Sequence, residues 1–170
     1  MAEIIVTNRK TAILGMGATG LSVAAFFEAK DIAFDFADSR NEPPNLKAVS
    51  EQYTEAEIVT GAFDAEFLCR YNRLIVSPGI SLSEPALVAA KEKGVELVGD
   101  LELFLEQVEA PVIIISGSNG KSTVTELVGQ MAKDSGLVTA VGGNLGTPML
   151  ELLDQRNELY VIEEIGRAHV

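Results

Sequence analysis

The sequence predicts an α/β protein, with a Rossmann-like parallel-sheet domain followed by an incomplete P-loop-type α/β domain. Three observations predict it. Short apolar runs alternate with helical patterns along the 170 residues, as strands and helices do around a parallel sheet. The runs are apolar at nearly every position, which is typical of strands buried on both faces. Two glycine-containing loops each follow such a run and open a helix, where phosphates commonly bind.

The first part of the chain contains five predicted strands. Ser83 is the predicted N-cap of the helix that precedes the fifth strand, and Gly94 is its C-terminal stop. The strands are predicted at 10–17, 32–38, 56–61, 73–79 and 95–100, and the helices at 19–30, 62–71 and 83–94.

The strand–helix alternation starts again near 98–100, so we predict domains at 1–98 and 99–163. The second domain has only three predicted strands, which is too few for a buried sheet, and it is therefore predicted to be incomplete. The last segment, 164–170, follows a strand without a covering helix and is predicted to be a foreign tail or a truncation. The strands are predicted at 111–117, 137–143 and 159–164, and the helices at 101–110, 121–136 and 147–155.

The composition excludes several functions. A net charge of -12 argues against nucleic-acid and membrane-surface binding, which need a basic face. No apolar run is long enough for membrane insertion, and the N-terminus lacks a signal-peptide pattern. Cys69 is the single cysteine and is predicted to be a buried thiol in a reducing compartment. These features together predict a cytoplasmic protein.

The first glycine loop is "GMGATG", which supplies Gly15, Gly17 and Gly20. Glycines at these places allow a tight turn, a close phosphate and close helix packing. Asp38 ends the second strand at the spacing of a residue that bonds a ribose hydroxyl in dinucleotide sites. Taken alone, the loop predicts NAD binding by an oxidoreductase, and the alternative is that the glycines serve packing only. Arg40 is a nearby cation that either meets a phosphate or is simply solvated.

The second glycine loop is "SGSNGKST". It differs from the P-loop pattern because Ile115 stands where the first glycine is required. It nevertheless offers the chemistry of an ATP site, with backbone amides for phosphate, Lys121 for the β- and γ-phosphates and Ser122 for Mg²⁺. The alternative is a solvent-exposed helix cap. The predicted ATP-binding residues are Gly117, Ser118, Asn119, Gly120, Lys121, Ser122 and Thr123.

The two loops together resemble the N-terminal part of the Mur ligase family. The matching stretches are "GMGATGLS", "ADSR", "IVSPGI", "VGDLELF", "ISGSNGKSTVTELVGQMAK", "VGGNLGTP" and "LYVIE". "GSNGKST" resembles the highly specific family signature, and Asn119 favours the members that add D-glutamate over those that add alanine. The resemblance implies that the first domain binds the UDP part of a substrate, not NAD. The residues that match substrate-contact positions are Gly15, Gly17, Ala18, Thr19, Gly20, Asp38, Ser39, Arg40, Ser77, Pro78, Gly79 and Asn144.

The resemblance also implies a reaction. The members of the family that add D-glutamate use ATP and Mg²⁺ to join it to UDP-N-acetylmuramoyl-L-alanine through an acyl phosphate. Lys121 matches the catalytic lysine, and Ser122 and Glu163 match the magnesium ligands. A complete ligase is longer and brings a histidine, a carbamylated lysine and a C-terminal domain, so this chain is expected to be truncated and inactive by itself. Two alternatives remain. One is a non-catalytic UDP-sugar-binding module. The other is a folylpolyglutamate synthetase, and residues 1–98 argue against it because that relative lacks an N-terminal UDP domain.

Overall fold

The computed structural model describes residues 10–144 and 146–164. Within them the chain forms eight strands and six α-helices. The chain divides into two compact units between Gly99 and Asp100. No helix in the described part of the chain is long and apolar enough to cross a membrane.

The first unit holds a five-stranded, fully parallel sheet in the order β3-β2-β1-β4-β5. This confirms the predicted Rossmann-like sheet. The chain runs from β1 outward to β3 and then returns to β4 on the other side of β1, which creates a switch point where ligands of such sheets bind. The strands are β1 (Thr11–Leu14), β2 (Phe34–Asp38), β3 (Ile58–Thr60), β4 (Arg73–Val76) and β5 (Glu96–Gly99), and the helices are α1 (Ala18–Glu28), α2 (Leu46–Gln52), α3 (Ala65–Leu68) and α4 (Pro85–Glu92).

The central strands of this sheet are buried on both faces, which explains their continuous apolar sequence. On one face Leu14 and Val76 belong to a cluster with Leu68 and Leu87. Elsewhere in the unit, Phe36 contacts aromatic neighbours. The central strands are therefore rigid supports for the loops at their carboxyl ends.

The second unit holds a three-stranded parallel sheet in the order β6-β8-β7. The carboxyl ends of the strands are in register, since Glu163 of β8 pairs with both Ile115 of β6 and Gly143 of β7. The loops that follow β6 and β7 therefore begin beside Glu163. The elements are α5 (Asp100–Leu105), β6 (Val112–Ile115), α6 (Lys121–Asp134), β7 (Thr139–Gly143), a 3₁₀ turn (Met149–Leu152) and β8 (Leu159–Glu163).

Two local predictions at helices were wrong. Ser83 does not cap α4, because the helix begins at Pro85 after Glu84, and proline is favoured at the first helical position. The Ser83 hydroxyl instead lies 2.7 Å from that of Ser81. The helix predicted at 147–155 is only a 3₁₀ turn, because the backbone becomes extended at Leu153.

Other boundaries differ less. The sequence did not predict α2, and α3 is shorter than the predicted helix at 62–71. Gly94 does end its helix region, with a φ of 86°. Of the predicted tail at 164–170, only Glu164 is among the described residues, so residues 165–170 with His169 lie outside them.

Candidate functional site

The loop between β1 and α1 lies at the switch point of the first sheet. The Gly15 N–H donates to the Ala37 carbonyl at 2.7 Å, and the Ser77 N–H donates to the Leu14 carbonyl at 3.0 Å. These bonds join the ends of β1, β2 and β4. The predicted residues of the 15–20, 38–40 and 77–79 segments are thus brought to one edge of the sheet.

The three glycines of this loop have different structural surroundings, which give different reasons for a residue without a side chain. Gly15 has a φ of 98°, a conformation that glycine adopts at low cost. A Cβ on Gly20 would collide with the Gly15 carbonyl oxygen, so Gly20 permits the tight turn into α1. A Cβ on Gly17 would meet nothing within 4 Å. Packing therefore explains Gly15 and Gly20 but leaves open space beside Gly17, as an approaching ligand would require.

Asp38 is buried, with 2% of its surface exposed, and its carboxylate accepts four hydrogen bonds. The Met16 N–H donates to Oδ2 at 2.8 Å, and the Arg40 N–H donates to Oδ1 at 3.0 Å. The Arg40 guanidinium donates to both oxygens, at 2.8 and 2.6 Å. Burial raises the pKa of Asp38, but the Arg40 guanidinium and the two backbone N–H groups outweigh it and lower this pKa to about 2.

This arrangement changes the interpretation of Asp38. Each carboxylate oxygen already accepts two bonds, which fills its lone pairs, so none is left for a ribose hydroxyl. Asp38 thus braces the loop through Met16, and its predicted role as a direct ligand contact stays a prediction. Ser39 is exposed, and the Arg40 side chain is 52% exposed, so these two remain accessible.

The remaining predicted residues of the first unit surround the same loop. Ala18 and Thr19 form the first turn of α1, whose free N–H groups favour an anion. Ser77 opens a turn that the Ile80 N–H closes on the Ser77 carbonyl at 3.0 Å. Pro78 and Gly79 lie inside this turn.

The second loop joins β6 to α6. Gly120 is the N-cap of α6 with a φ of 73°, and this left-handed turn aims the loop into the helix. The Lys121 ammonium donates to the Gly117 carbonyl at 2.8 Å, across the loop. The predicted Ser118 and Asn119 are exposed between them, Ser122 is half-buried, and Thr123 is exposed at the start of the helix.

Glu163 lies at the carboxyl end of the central strand, next to this loop. Its residue surface is 6% exposed, and among the described residues its Oε2 has no hydrogen-bond partner. The Asn144 N–H donates to the Glu163 carbonyl at 3.0 Å. The structure therefore places the predicted Asn144 in the second unit, beside Glu163.

A family description, Mur ligase MurD-like, N-terminal domain, matches residues 9–99 of the sequence. The chain belongs to the Mur ligase family. This match confirms the resemblance that the two glycine loops carry. It covers the first unit, in which the sheet order and the loop after β1 were observed.

Curated Mur ligases match both units. The chain is 48% identical over 161 residues to UDP-N-acetylmuramoylalanine--D-glutamate ligase of Pseudomonas putida (strain KT2440), which covers 95% of this chain and 36% of that protein. It is 50% identical over 152 residues to the ligase of that name from Nitrosococcus oceani, covering 89% of this chain and 34% of that protein. The chain thus spans about a third of the length of these curated Mur ligases.

A solved structure supports the fold. A pseudomurein peptide ligase type C from Methanothermus fervidus superposes with a TM-score of 0.51 at 20% identity, covering 94% of this chain and 33% of that protein. At this identity the likeness concerns the fold alone.

The residues of this Mur ligase chain fit a magnesium ion. A buried carboxylate oxygen is costly unless it accepts a hydrogen bond, is paired with a positive charge or binds a cation. The Oε2 of Glu163 is buried and has no hydrogen-bond partner among the described residues. No group of three or more His, Cys, Asp or Glu side chains gathers within residues 10–144 and 146–164. Mg²⁺ commonly binds one or two protein ligands together with water and phosphate oxygens, so a single buried carboxylate such as Glu163 suits it chemically.

One residue of the first site was not predicted. The Asn45 side-chain amide donates to the Met16 carbonyl at 2.8 Å, while Asp38 accepts from the N–H of the same residue. The sequence signal was weak, because Asn45 follows two prolines and precedes a short helix in which only Val49 is buried. An asparagine directly before a helix indicates a cap and not a contact with a distant loop.

Proposed function

We propose that this chain is the N-terminal part of an ATP-dependent ligase that joins D-glutamate to UDP-N-acetylmuramoyl-L-alanine during peptidoglycan precursor synthesis in the cytoplasm. The observation that carries the proposal is the 48% identity, over nearly the whole chain, to a protein with that activity in its name. The geometry of the two loops supports it, because each has the features of a phosphate site.

We assign substrate binding to the first unit, 1–98. The open space at Gly17 and the free N–H groups of the first turn of α1 suit the diphosphate of a UDP group. The Arg40 side chain is exposed enough to reach the ligand, and Asp38 orients the Arg40 guanidinium. Ser39 and the turn with Ser77, Pro78 and Gly79 complete the UDP contacts proposed for this unit. Asn144 matches a substrate-contact position of the family in the second unit.

We assign ATP binding to the second unit, 99–163. The exposed loop from Gly117 to Thr123 offers backbone amides to the phosphates, and Lys121 adds a cation that stabilises the transferred γ-phosphoryl group. Ser122 and Glu163 would hold Mg²⁺, which neutralises phosphate charge when bound. In the proposed reaction a substrate carboxylate oxygen bonds the γ-phosphorus as ADP leaves, and the D-glutamate amine then bonds the acyl carbon as phosphate leaves.

An NAD-dependent oxidoreductase is the competing function for the first loop. It requires a carboxylate that accepts hydrogen bonds from ribose hydroxyls at the end of β2. Asp38 has no lone pair left for that purpose, since Met16 and Arg40 use all of them. A ribose is common to NAD and UDP, so the UDP substrate is favoured by the family match over residues 9–99 and by the second glycine loop, which NAD binding leaves unexplained.

The test is a calorimetric titration of the purified 170-residue chain with UDP-N-acetylmuramoyl-L-alanine, with NAD as the comparison ligand. We expect saturable binding of the UDP compound and none of NAD. Incubation with ATP, Mg²⁺ and D-glutamate should yield no ligated product, because the chain spans about a third of its relatives. Binding of NAD alone would refute the proposal.

A further inference from the structure

Met16 is held by side chains from two separate segments, and one of them bonds the peptide group between Met16 and Gly17. The Met16 N–H donates to Asp38 at 2.8 Å, and the Met16 carbonyl accepts from the Asn45 amide at 2.8 Å. The Met16 side chain is fully buried. This residue is therefore fixed at its N–H, its carbonyl and its side chain.

The bond from Asn45 determines the direction of the next N–H group. In a trans peptide the carbonyl and the following N–H point in opposite directions, and the described residues contain no cis peptide bond. Because Asn45 holds the Met16 carbonyl, the Gly17 N–H points away from Asn45. No described residue accepts a hydrogen bond from that N–H, and the space beside Gly17 is open.

Asn45 makes this contact instead of the one that its position favours. It is the N-cap of α2, where an asparagine side chain usually accepts an N–H bond from the first turn. Here the side chain makes no cap bond. A side chain that leaves its own helix uncapped to bond a loop 29 positions away is better explained by the loop than by the helix.

We propose that Asn45 is a positioning residue for the UDP-substrate site, which orients the Gly17 N–H toward the ligand diphosphate. The proposal rests on the function proposed above and adds a residue to that site. Asn45 acts through the Met16–Gly17 peptide. Its effect is therefore on affinity for the phosphate-bearing part of the ligand.

The variant Asn45→Asp distinguishes a role of Asn45 in positioning the loop from a role in capping α2. The two side chains have the same shape, but a carboxylate cannot donate to the Met16 carbonyl, while aspartate is an equally good N-cap. The variant should keep α2 and lose the loop bond. Asn45→Ala, which loses the loop bond and offers no group that could cap α2, is the second variant. Asn157→Ala is the matched control, because Asn157 donates to the Leu152 carbonyl at 2.9 Å in the other unit.

The experiment measures UDP binding by the 170-residue chain with two methods, calorimetry and the amide NMR signal of Gly17. We expect the wild type and Asn157→Ala to bind with a large Gly17 shift. Asn45→Asp should bind about tenfold more weakly, as expected for losing one charge-assisted hydrogen bond, with an unchanged melting temperature and a much smaller Gly17 shift at saturation.

Two outcomes would overturn the proposal. In the first, Asn45→Asp binds UDP as tightly as the wild type and with the same Gly17 shift, and Asn45→Ala loses affinity only as far as its melting temperature falls. Asn45 would then have a structural role alone. If the wild type itself binds no UDP, the function proposed for the first unit fails, and this inference fails with it.

Discussion

The Met16 N–H donates to the buried Asp38 carboxylate at 2.8 Å, and this bond links residues 22 positions apart. It ties the loop after β1 to the end of β2. Because Asp38 also binds the Arg40 guanidinium, the same carboxylate fixes both the loop backbone and the nearest exposed cation. The shape of the proposed ligand site is thus coupled to the charge of one carboxylate.

The stability of the first unit should depend on the ionisation of Asp38. Its pKa is about 2 in the folded chain and 3.8 ordinarily, so folding favours the charged form. The resulting stabilisation is present above pH 4 and is lost as the pH falls toward 2. A shift of nearly two pKa units corresponds to about 2 kcal/mol.

This prediction is checked by urea unfolding of the wild type and Asp38→Asn between pH 7 and pH 2.5. The stability difference between them should shrink below pH 4. Asp154→Asn is the control, since Asp154 has a similarly lowered pKa but lies in a surface pair with Arg156, which contributes little to stability. A difference for Asp38→Asn that is constant with pH would contradict the lowered pKa.

Gly17 and Gly20 should respond oppositely to alanine. Gly20→Ala places a Cβ against the Gly15 carbonyl and should destabilise the chain by about 1–3 kcal/mol, as overpacking does. Gly17→Ala meets nothing at a φ of -87°, which alanine adopts, and should leave stability unchanged or slightly raised. Its methyl group would lie where we propose that the diphosphate approaches, so affinity for UDP-N-acetylmuramoyl-L-alanine should fall at least tenfold.

Thermal unfolding and calorimetry of both variants test this pair. Each variant serves as the control for the other, because both add one methyl group to the same loop. Unchanged ligand affinity in a well-folded Gly17→Ala would show that the ligand does not approach the loop there.

The strands and the loop positions could be predicted from the sequence because their causes are local. Continuous apolar runs identify β1 and β4, and glycine spacing locates the loop at Gly15. The role of Asp38 could not be predicted in the same way. A carboxylate at that position suits a ribose contact, and only the folded chain shows that Met16 and Arg40 saturate it.

The other differences have similar physical reasons. Asn45 contacts a loop 29 positions away, a distance over which no sequence period applies. The 147–155 segment has a helical composition, but the chain leaves the helical conformation at Leu153, and the Tyr160 hydroxyl accepts from the Asp154 N–H at 3.1 Å. Tertiary contacts therefore override local propensity.

Lys121 should matter for nucleotide binding and not for folding. Among the described residues its ammonium donates only to the Gly117 carbonyl, within the loop itself. We expect Lys121→Ala to melt within a few degrees of the wild type and to lose at least tenfold in affinity for ATP, as the cation facing the phosphates is removed.

Lys133→Ala is the matched control, since Lys133 lies in the last turn of the same helix. Fluorescence titration with an ATP analogue measures both variants against the wild type. Equal losses in the two variants would indicate a general charge effect and contradict a specific role for Lys121.

Glu163 should destabilise the chain without a cation and bind Mg²⁺ when it is supplied. Its Oε2 is buried without a partner among the described residues, which costs about 1–3 kcal/mol. Glu163→Gln removes the buried charge at constant shape, so its melting temperature without metal should exceed that of the wild type. Adding MgCl₂ should raise the melting temperature of the wild type and leave that of Glu163→Gln unchanged. Glu126→Gln, at an exposed position of α6, controls for net charge. An equal rise of the melting temperature with MgCl₂ in the wild type, Glu163→Gln and Glu126→Gln would place the ion elsewhere.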